Sequence, residues 1–184
     1  DSFAFAALGD APYYPWEDLK FNVVLRDMDA QNLAFIIHVG DIIWHPCSDD
    51  LYNRVLRRFN KLPHPVIYTP GDNEWTDCWE PGSGSFRPLE RLQRLREVFF
   101  SPSGQSLGGK RIPLETQGDE PPYAAFVENT RWMERGFLFA CVNLPGTQNA
   151  RQPFKGRTPE DDQAAELRTA AATAWLKESF SEAK

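Results

Sequence analysis

Three apolar stretches carry the clearest pattern in this chain of 184 residues: Phe3-Ala-Phe-Ala-Ala-Leu-Gly-Asp10, Ala34-Phe-Ile-Ile-His-Val-Gly-Asp41 and Pro65-Val-Ile-Tyr-Thr-Pro-Gly-Asp72-Asn73-Glu74. Consecutive aspartates are 31 residues apart, and a strand-helix-strand unit has about 30 residues. Because parallel strands place their carboxyl ends at one edge of a sheet, the three carboxylates are predicted to lie together. Such a cluster repels itself unless a cation lies between its members. The sequence therefore predicts a metal site.

A simpler interpretation treats each Gly-Asp pair as a turn. Glycine accepts positive φ, and aspartate caps turns through its own backbone, so a single pair after a strand is usually structural. Three pairs at matched positions, separated by helical patterns, favour the metal site instead. The three stretches share nothing beyond Gly-Asp, which argues against an internal repeat.

Composition restricts the classes of partner. The formal charge is −6, from 20 basic and 26 acidic residues, which argues against nonspecific binding to nucleic acid or to an anionic membrane. No apolar run approaches the roughly 20 residues that span a bilayer, so a membrane partner is not expected. Aromatic residues make up 13% of the chain, enough for a substantial core.

The spacing of apolar residues predicts an α/β fold. Strands are expected at residues 3–8, 34–39 and 66–69, with helices after each of them at 17–31, from residue 49, and at 87–100. A long loop over 101–122 precedes a hairpin of 124–132 and 137–144, a polar loop and a last helix over 160–183. We therefore expect one domain over residues 1–184. Since a helix in such a fold should return to a strand, we expect this domain to be incomplete at its C-terminal end, or to be completed by a second polypeptide.

Cysteine spacing leaves two interpretations open. Cys47 and Cys78 each follow a Gly-Asp motif by six residues and can meet at the same edge of the sheet. A disulfide between them would indicate an oxidising compartment, which slightly favours an extracytoplasmic (periplasmic or secreted) location. The alternative is three unpaired thiols, because spacing alone does not show that two Cα atoms are close.

The segments Leu8-Gly-Asp-Ala-Pro-Tyr13, His38-Val-Gly-Asp41 and Pro70-Gly-Asp-Asn-Glu-Trp75 resemble the motifs of the calcineurin-like metallophosphoesterase superfamily, in particular a bacterial branch with a Gly-Asp-Asn-Glu-Trp motif. The resemblance implies an αββα sandwich, here its N-terminal part, with a mostly parallel sheet and a hairpin. It also implies hydrolysis of phosphate mono- or diesters at a centre of two divalent or trivalent metal ions, Mn, Fe or Zn. A phosphoester small molecule is then the expected substrate.

By this resemblance, Asp10 is a ligand of the first metal and Asp41 bridges both. Asp72 or Asn73 takes the place of the family's ligand Asn, because the alignment is ambiguous by one residue. Asn73 or Glu74 accordingly takes the place of the catalytic His. An amide is not a general acid, so Asn73 in that place would leave the protonation of the leaving group to another donor.

The remaining candidates lie in loops near the same edge. His45 follows the Asp41 loop and is a candidate to meet substrate or metal, the alternative being an exposed loop histidine. Asn149, Tyr13 and Trp75 are candidate substrate contacts, although Asn149 is equally well explained as a turn residue. Trp75 belongs with Trp44 and Trp79 to a set that either walls a pocket or fixes the loops.

The family's Gly-His-x-His motif is absent, and the only histidines are His38, His45 and His64. A complete dinuclear site is therefore not available from the visible family ligands. This leaves two functions open. The first is a metal-dependent phosphoesterase, and the second is a non-catalytic relative that binds ligands and retains at most part of the metal site.

Overall fold

The computed structural model describes residues 2–14, 16–119 and 121–183. Its elements are β1 (Ala4–Leu8), α1 (Glu17–Asp29), β2 (Leu33–His38), α2 (Asp49–Lys61), β3 (Val66–Tyr68), α3 (Pro88–Phe99), β4 (Glu115–Thr116), β5 (Thr130–Glu134), β6 (Phe137–Cys141), α4 (Gly146–Ala150) and α5 (Pro159–Glu182). Short 3₁₀ turns cover Thr76–Trp79, Pro81–Ser83 and Gln117–Asp119. The predicted domain of residues 1–184 includes Asp1, Pro15, Glu120 and Lys184, which lie outside the described residues.

Two three-stranded sheets form the middle of the fold. The first is parallel with strand order β1-β2-β3, and the second is antiparallel with order β4-β5-β6. Phe35 of β2 contacts Trp132 of β5 and Phe139 of β6 edge-on, with ring centroids 5.2 and 4.9 Å apart. The sheets therefore pack face to face through aromatic side chains, which contribute large buried areas.

Helices cover both outer faces. The apolar sides of α1, α2 and α3 bury Phe21, Tyr52, Phe59 and Leu95 against the parallel sheet. On the other side, Trp175 of α5 donates its indole N–H to the Thr130 carbonyl of β5. The predicted α/β sandwich, with a parallel sheet and a hairpin, is confirmed.

Three segments differ from the sequence prediction, and one of them is the second hairpin strand, which ends at Cys141 rather than at residue 144. The expected long loop over 101–122 contains β4, because its backbone pairs with β5 and Glu115 forms an ion pair with Arg131. The first hairpin strand begins at Thr130 rather than at residue 124, because consecutive backbone turns at Phe126 and Asn129 occupy the preceding residues. Among the described residues, no helix combines the length and the hydropathy needed to cross a membrane.

Candidate metal centre

The parallel strands place the Gly-Asp motifs at one edge. Asp10 lies two residues after β1, Asp41 three residues after β2, and Asp72 four residues after β3. The backbone N–H of Asp10 donates to the Gly40 carbonyl, with an N···O distance of 3.2 Å, so the first two loops run side by side. The expected convergence at the carboxyl edge of the sheet follows directly from the parallel topology.

Asp10 and Asp41 share one proton donor. The hydroxyl of Tyr13 donates to Oδ1 of Asp10 at 3.0 Å and to Oδ2 of Asp41 at 3.1 Å. Both aspartates have left-handed backbones, with φ values of 56° and 54°, a conformation that Asp and Asn adopt more readily than most residues. This conformation turns the chain sharply after each strand, and the two carboxylates meet at the Tyr13 hydroxyl.

The loop after β3 closes around Asp41. Oδ1 of Asp41 accepts hydrogen bonds from the backbone N–H groups of Asp72 and Asn73, at 3.1 and 3.3 Å. A Cβ at Gly71 would overlap that same Oδ1, and a Cβ at Gly146 would overlap Oδ2 of Asp72. The lack of a side chain at these two glycines therefore lets the backbone approach both carboxylates.

Burial and neighbouring charge act on Asp41. Burial raises the pKa of its carboxyl above the ordinary value of an aspartate, and the nearby Asp72 carboxylate raises it further. The N–H of Asn73 and the hydroxyl of Tyr13 lower the pKa in opposition. A carboxylate that is crowded by another carboxylate in this way gains stability in its charged form when a cation binds nearby.

Glu74 lies in the interior, with no exposed surface. Its Oε1 accepts the hydroxyl of Tyr68 at 2.8 Å, the N–H of Gly71 at 2.8 Å and the N–H of Asp41 at 3.1 Å. Burial raises the pKa of Glu74 to about 8. The structure thus places Glu74 where it fixes the loops after β2 and β3, rather than where it reaches a ligand from solvent.

A buried disulfide ties the same two loops together. Cys47 and Cys78 are bonded, with Cα atoms 5.7 Å apart, and neither residue has any exposed surface. The sequence left open whether these cysteines are bonded or are unpaired thiols, and in the structure they form a disulfide. The third cysteine, Cys141, is buried and free.

The other predicted residues lie in different surroundings. His45 lines an open cleft beside Tyr13. Trp75 is fully buried beneath the guanidinium of Arg168, whose central carbon is 4.7 Å from the ring centroid. Asn149 is held by α5, because its amide bonds to Thr169 at 2.8 Å and to Arg168 at 2.9 Å. In the structure, Tyr13 therefore contacts the aspartates. Trp75 instead packs against Arg168, and Asn149 forms hydrogen bonds to α5.

Two contributors were not identified from the sequence. Tyr68 anchors Glu74, and Gly146 packs on Asp72. Tyr68 belongs to a strand pattern that indicates only burial, and no local signal distinguishes its hydroxyl. Gly146 lies in the segment Pro-Gly-Thr-Gln-Asn149, from which only the Asn was selected.

The described side chains supply only part of a metal site. Asp10 and Asp41 offer carboxylate oxygens on either side of a single hydroxyl, and the backbone N–H of Asn73 donates to Asp41 at 3.3 Å. Within residues 2–14, 16–119 and 121–183, no three His, Cys, Asp or Glu side chains form a group that could hold a metal ion. The predicted convergence of ligands is thus partial, and a second metal needs ligands from elsewhere.

Comparison with known proteins identifies the family. A model of the family described as calcineurin-like phosphoesterase matches residues 5–155. Searches of curated proteins and of solved structures found no match. The matched range contains all three Gly-Asp loops, the disulfide and both sheets except for Ala4, the first residue of β1. The chain therefore belongs to the calcineurin-like phosphoesterase family, whose general activity is metal-dependent hydrolysis of phosphoesters.

Proposed function

We propose that this chain carries part of a dinuclear metal centre that hydrolyses phosphate mono- or diesters. The observation that carries the proposal is the meeting of the Asp10 and Asp41 carboxylates at the Tyr13 hydroxyl. Two anionic groups from neighbouring parallel strands, with a third at Asp72, form a site that a cation stabilises. Oxygen ligands joined by imidazole or amide groups suit Mn, Fe or Zn.

Asp10 and Asp41 are the residues that we assign to hold the metal, and Asn73 lies next to them, because its backbone N–H donates to Asp41 at 3.3 Å. When bound, the metal would supply Lewis-acid stabilisation of the charge that develops on the phosphoryl oxygens. Glu74 orients Asp41 through the backbone N–H of that residue. We propose that a polypeptide segment beyond these 184 residues supplies the remaining ligands, since His38, His45 and His64 are the only histidines here.

Protonation of the leaving group needs a donor that reaches solvent. Glu74 has no exposed surface, and an amide such as Asn73 is not a general acid. His45 is exposed and lines the cleft beside Tyr13. Of the three candidate catalytic residues, His45 is therefore the one we assign to this step.

The second candidate function is a non-catalytic binding module that retains at most part of the metal site. It is favoured by one observation: no group of three metal-ligating side chains forms within the described part of the chain. Under this alternative the chain binds a cation or a phosphoester but does not hydrolyse it.

Calorimetric titration of Mn²⁺ into wild-type protein and into Asp41→Asn tests the metal site. Asparagine tolerates the left-handed backbone of Asp41 better than alanine, so this variant isolates the charge. We expect saturable binding to wild type and binding weaker by at least roughly 10–100-fold in the variant, the loss caused by removing a residue that only orients a metal ligand. Asp27→Asn, an exposed aspartate on α1, is the matched control and should bind like wild type.

Unchanged affinity in Asp41→Asn would refute the assignment. Metal binding without hydrolysis of 4-nitrophenyl phosphate or bis(4-nitrophenyl) phosphate would instead favour the binding module. Hydrolysis that depends on Asp41 would favour the phosphoesterase.

We also propose that the chain occupies an oxidising compartment outside the cytoplasm. The support is the fully buried disulfide between Cys47 and Cys78, because such bonds persist mainly in oxidising compartments. Alkylation of denatured protein from acid-quenched cells should modify one cysteine of the three. Modification of all three would contradict this location.

A further inference from the structure

An open cleft adjoins the paired carboxylates. Its volume is ≈ 430 Å³, within the range of about 300–1,000 Å³ that small-molecule sites occupy. The aromatic side chains of Tyr13, Tyr14 and Trp44 line it, together with the nearly fully buried Ile42 and Ile43. The lining is mixed, with these aromatic side chains on the part that includes Tyr13, and with Asp18, Asp50, Arg54 and Arg58 elsewhere in the cleft.

Tyr13 connects the cleft to the aspartates. Its hydroxyl bonds to Asp10 and Asp41, and its ring lies 5.3 Å from the ring of Trp44. A ligand whose phosphate lies beside the aspartates can therefore extend its ester group across Tyr13 towards Trp44. The ring of Tyr14 stacks on the ring of Trp16, with ring centroids 4.6 Å apart.

Of the three tryptophans in these loops, only Trp44 is available to a ligand in this cleft. Its side chain is 44% exposed, and it lines the cleft. Trp75 is fully buried, and Trp79 stacks on Phe154 in a different part of the molecule. An exposed indole beside an apolar floor offers a planar face for stacking.

The charged side chains that line the cleft balance one another, two arginines against two aspartates. Arg58 forms an ion pair with Asp18 at 2.6 Å. Arg54 is exposed, and no ion-pair partner for it occurs among the residues that the structure describes. Asp50 also lines the cleft, so the cleft is close to neutral and does not repel a phosphoester.

We propose that this cleft binds a planar aromatic ester group of the substrate, and that Trp44 is the residue that stacks on it. The inference rests on the proposed function, which places the phosphoryl group at Asp10 and Asp41. It narrows the substrate class to phosphoesters that carry an aryl or nucleobase ring.

Two phosphonates test the stacking. Phenylphosphonate and cyclohexylphosphonate carry the same phosphonate group and the same number of carbon atoms, but only the first has a planar aromatic ring, and both are titrated at an alkaline pH where each is a dianion. Their C–P bonds do not hydrolyse, so binding is measured independently of turnover. Calorimetry in the presence of Mn²⁺ should give about tenfold tighter binding of phenylphosphonate to wild type, the size of effect that a ring stacked on an aromatic side chain produces.

Three variants test whether the preference for phenylphosphonate over cyclohexylphosphonate depends on Trp44. Trp44→Leu should reduce the ratio of the two affinities to about one, because it keeps apolar bulk but removes the aromatic face. Trp44→Phe should keep most of the preference. Phe180→Ala, which removes an aromatic side chain that is 72% exposed on α5, should leave the ratio unchanged.

The outcomes separate this inference from the proposed function. Equal affinities in wild type, no measurable binding of either phosphonate, or an unchanged ratio in Trp44→Leu would each overturn the aromatic subsite, even if the chain hydrolyses phosphoesters. A preference that depends on Trp44 in a chain without hydrolytic activity would support the subsite and overturn the proposed activity. To distinguish the two ring types, adenosine 5′-monophosphate is titrated beside ribose 5-phosphate. Tighter binding of the nucleotide that depends on Trp44 supports a nucleobase, and equal binding restricts the class to simple aryl esters.

Discussion

The disulfide between Cys47 and Cys78 should account for a large share of the stability of this protein. The two cysteines are separated by 31 residues, and the loop they close contains α2, β3 and the Asp72-Asn73-Glu74 motif. In the chain-entropy model, a cross-link across a loop of this length lowers the entropy of the unfolded chain enough to contribute about 3.7 kcal/mol at 25 °C. The double substitution Cys47→Ala and Cys78→Ala removes this contribution.

Urea unfolding followed by circular dichroism measures the effect. We expect the free energy of unfolding to fall by about 3–4 kcal/mol from the loss of the cross-link, and by roughly 1 kcal/mol more for each of the two buried sulfur atoms removed. We also expect the slope against urea to rise, because an unfolded chain without the cross-link exposes more surface. Cys141→Ala is the matched control, since it removes a buried cysteine that is not bonded. The control should cost about 1 kcal/mol, the value of a small buried apolar group.

Two contacts would still hold the loops in the double variant. The hydroxyl of Tyr52 donates to the Glu74 carbonyl, and Arg91 donates to the Cys47 carbonyl at 3.1 Å. The folded state should therefore survive, and the loss should come mainly from the unfolded state. A double variant that loses no more free energy than Cys141→Ala, with an unchanged slope, would refute the entropic argument.

Two further predictions concern the histidines. Burial lowers the pKa of His38 from 6.5 to about 4, so the unfolded chain takes up a proton at higher pH than the folded protein does. Stability that is complete above pH 6.5 should therefore be lost progressively as the pH falls towards 4, by about 3 kcal/mol, and no further below it. His38→Asn keeps an acceptor for the Gly40 N–H and should remove this dependence. A difference between the urea-unfolding free energies of variant and wild type that stays constant from pH 7 to 4 would contradict the assignment. For His45, the substitution His45→Gln should lower kcat by about 100-fold for methyl phosphate but by less than about tenfold for 4-nitrophenyl phosphate, whose leaving group needs little protonation. Equal losses for the two esters would exclude His45 as the proton donor.

The sequence predicted the order and type of the main elements because these depend on local patterns. Continuous apolar runs that end in Gly-Asp indicate buried parallel strands, and the 31-residue spacing between the aspartates leaves room for one helix between neighbouring strands. The bounds of the first three strands agree with the structure to within one residue at each end. The two-residue strand β4 was missed, since its pairing with β5 has no signal of its own within 101–122.

The candidate site was predictable in its chain positions but not in its side-chain roles. Glu74 and Trp75 belong to the same motif as Asp72. Nothing in the sequence indicates that Asp72 is partly exposed whereas Glu74 and Trp75 are buried. The structure buries both of them, because Tyr68 and Arg168 approach from β3 and α5. Likewise, Trp44 and Trp75 are equivalent candidates in the sequence, and only their exposure separates them.

The sequence by itself determined that the ends of three neighbouring strands carry aspartates, because strand length, helix length and the Gly-Asp turn are local properties. Only the tertiary structure decided that Asp10 and Asp41 meet at the hydroxyl of Tyr13, that Cys47 and Cys78 are bonded, and that Trp44 opens onto a cleft. The Tyr13–Asp41 hydrogen bond and the disulfide join residues about 30 positions apart along the chain. They depend on how the strands and loops pack in three dimensions, which no local pattern records.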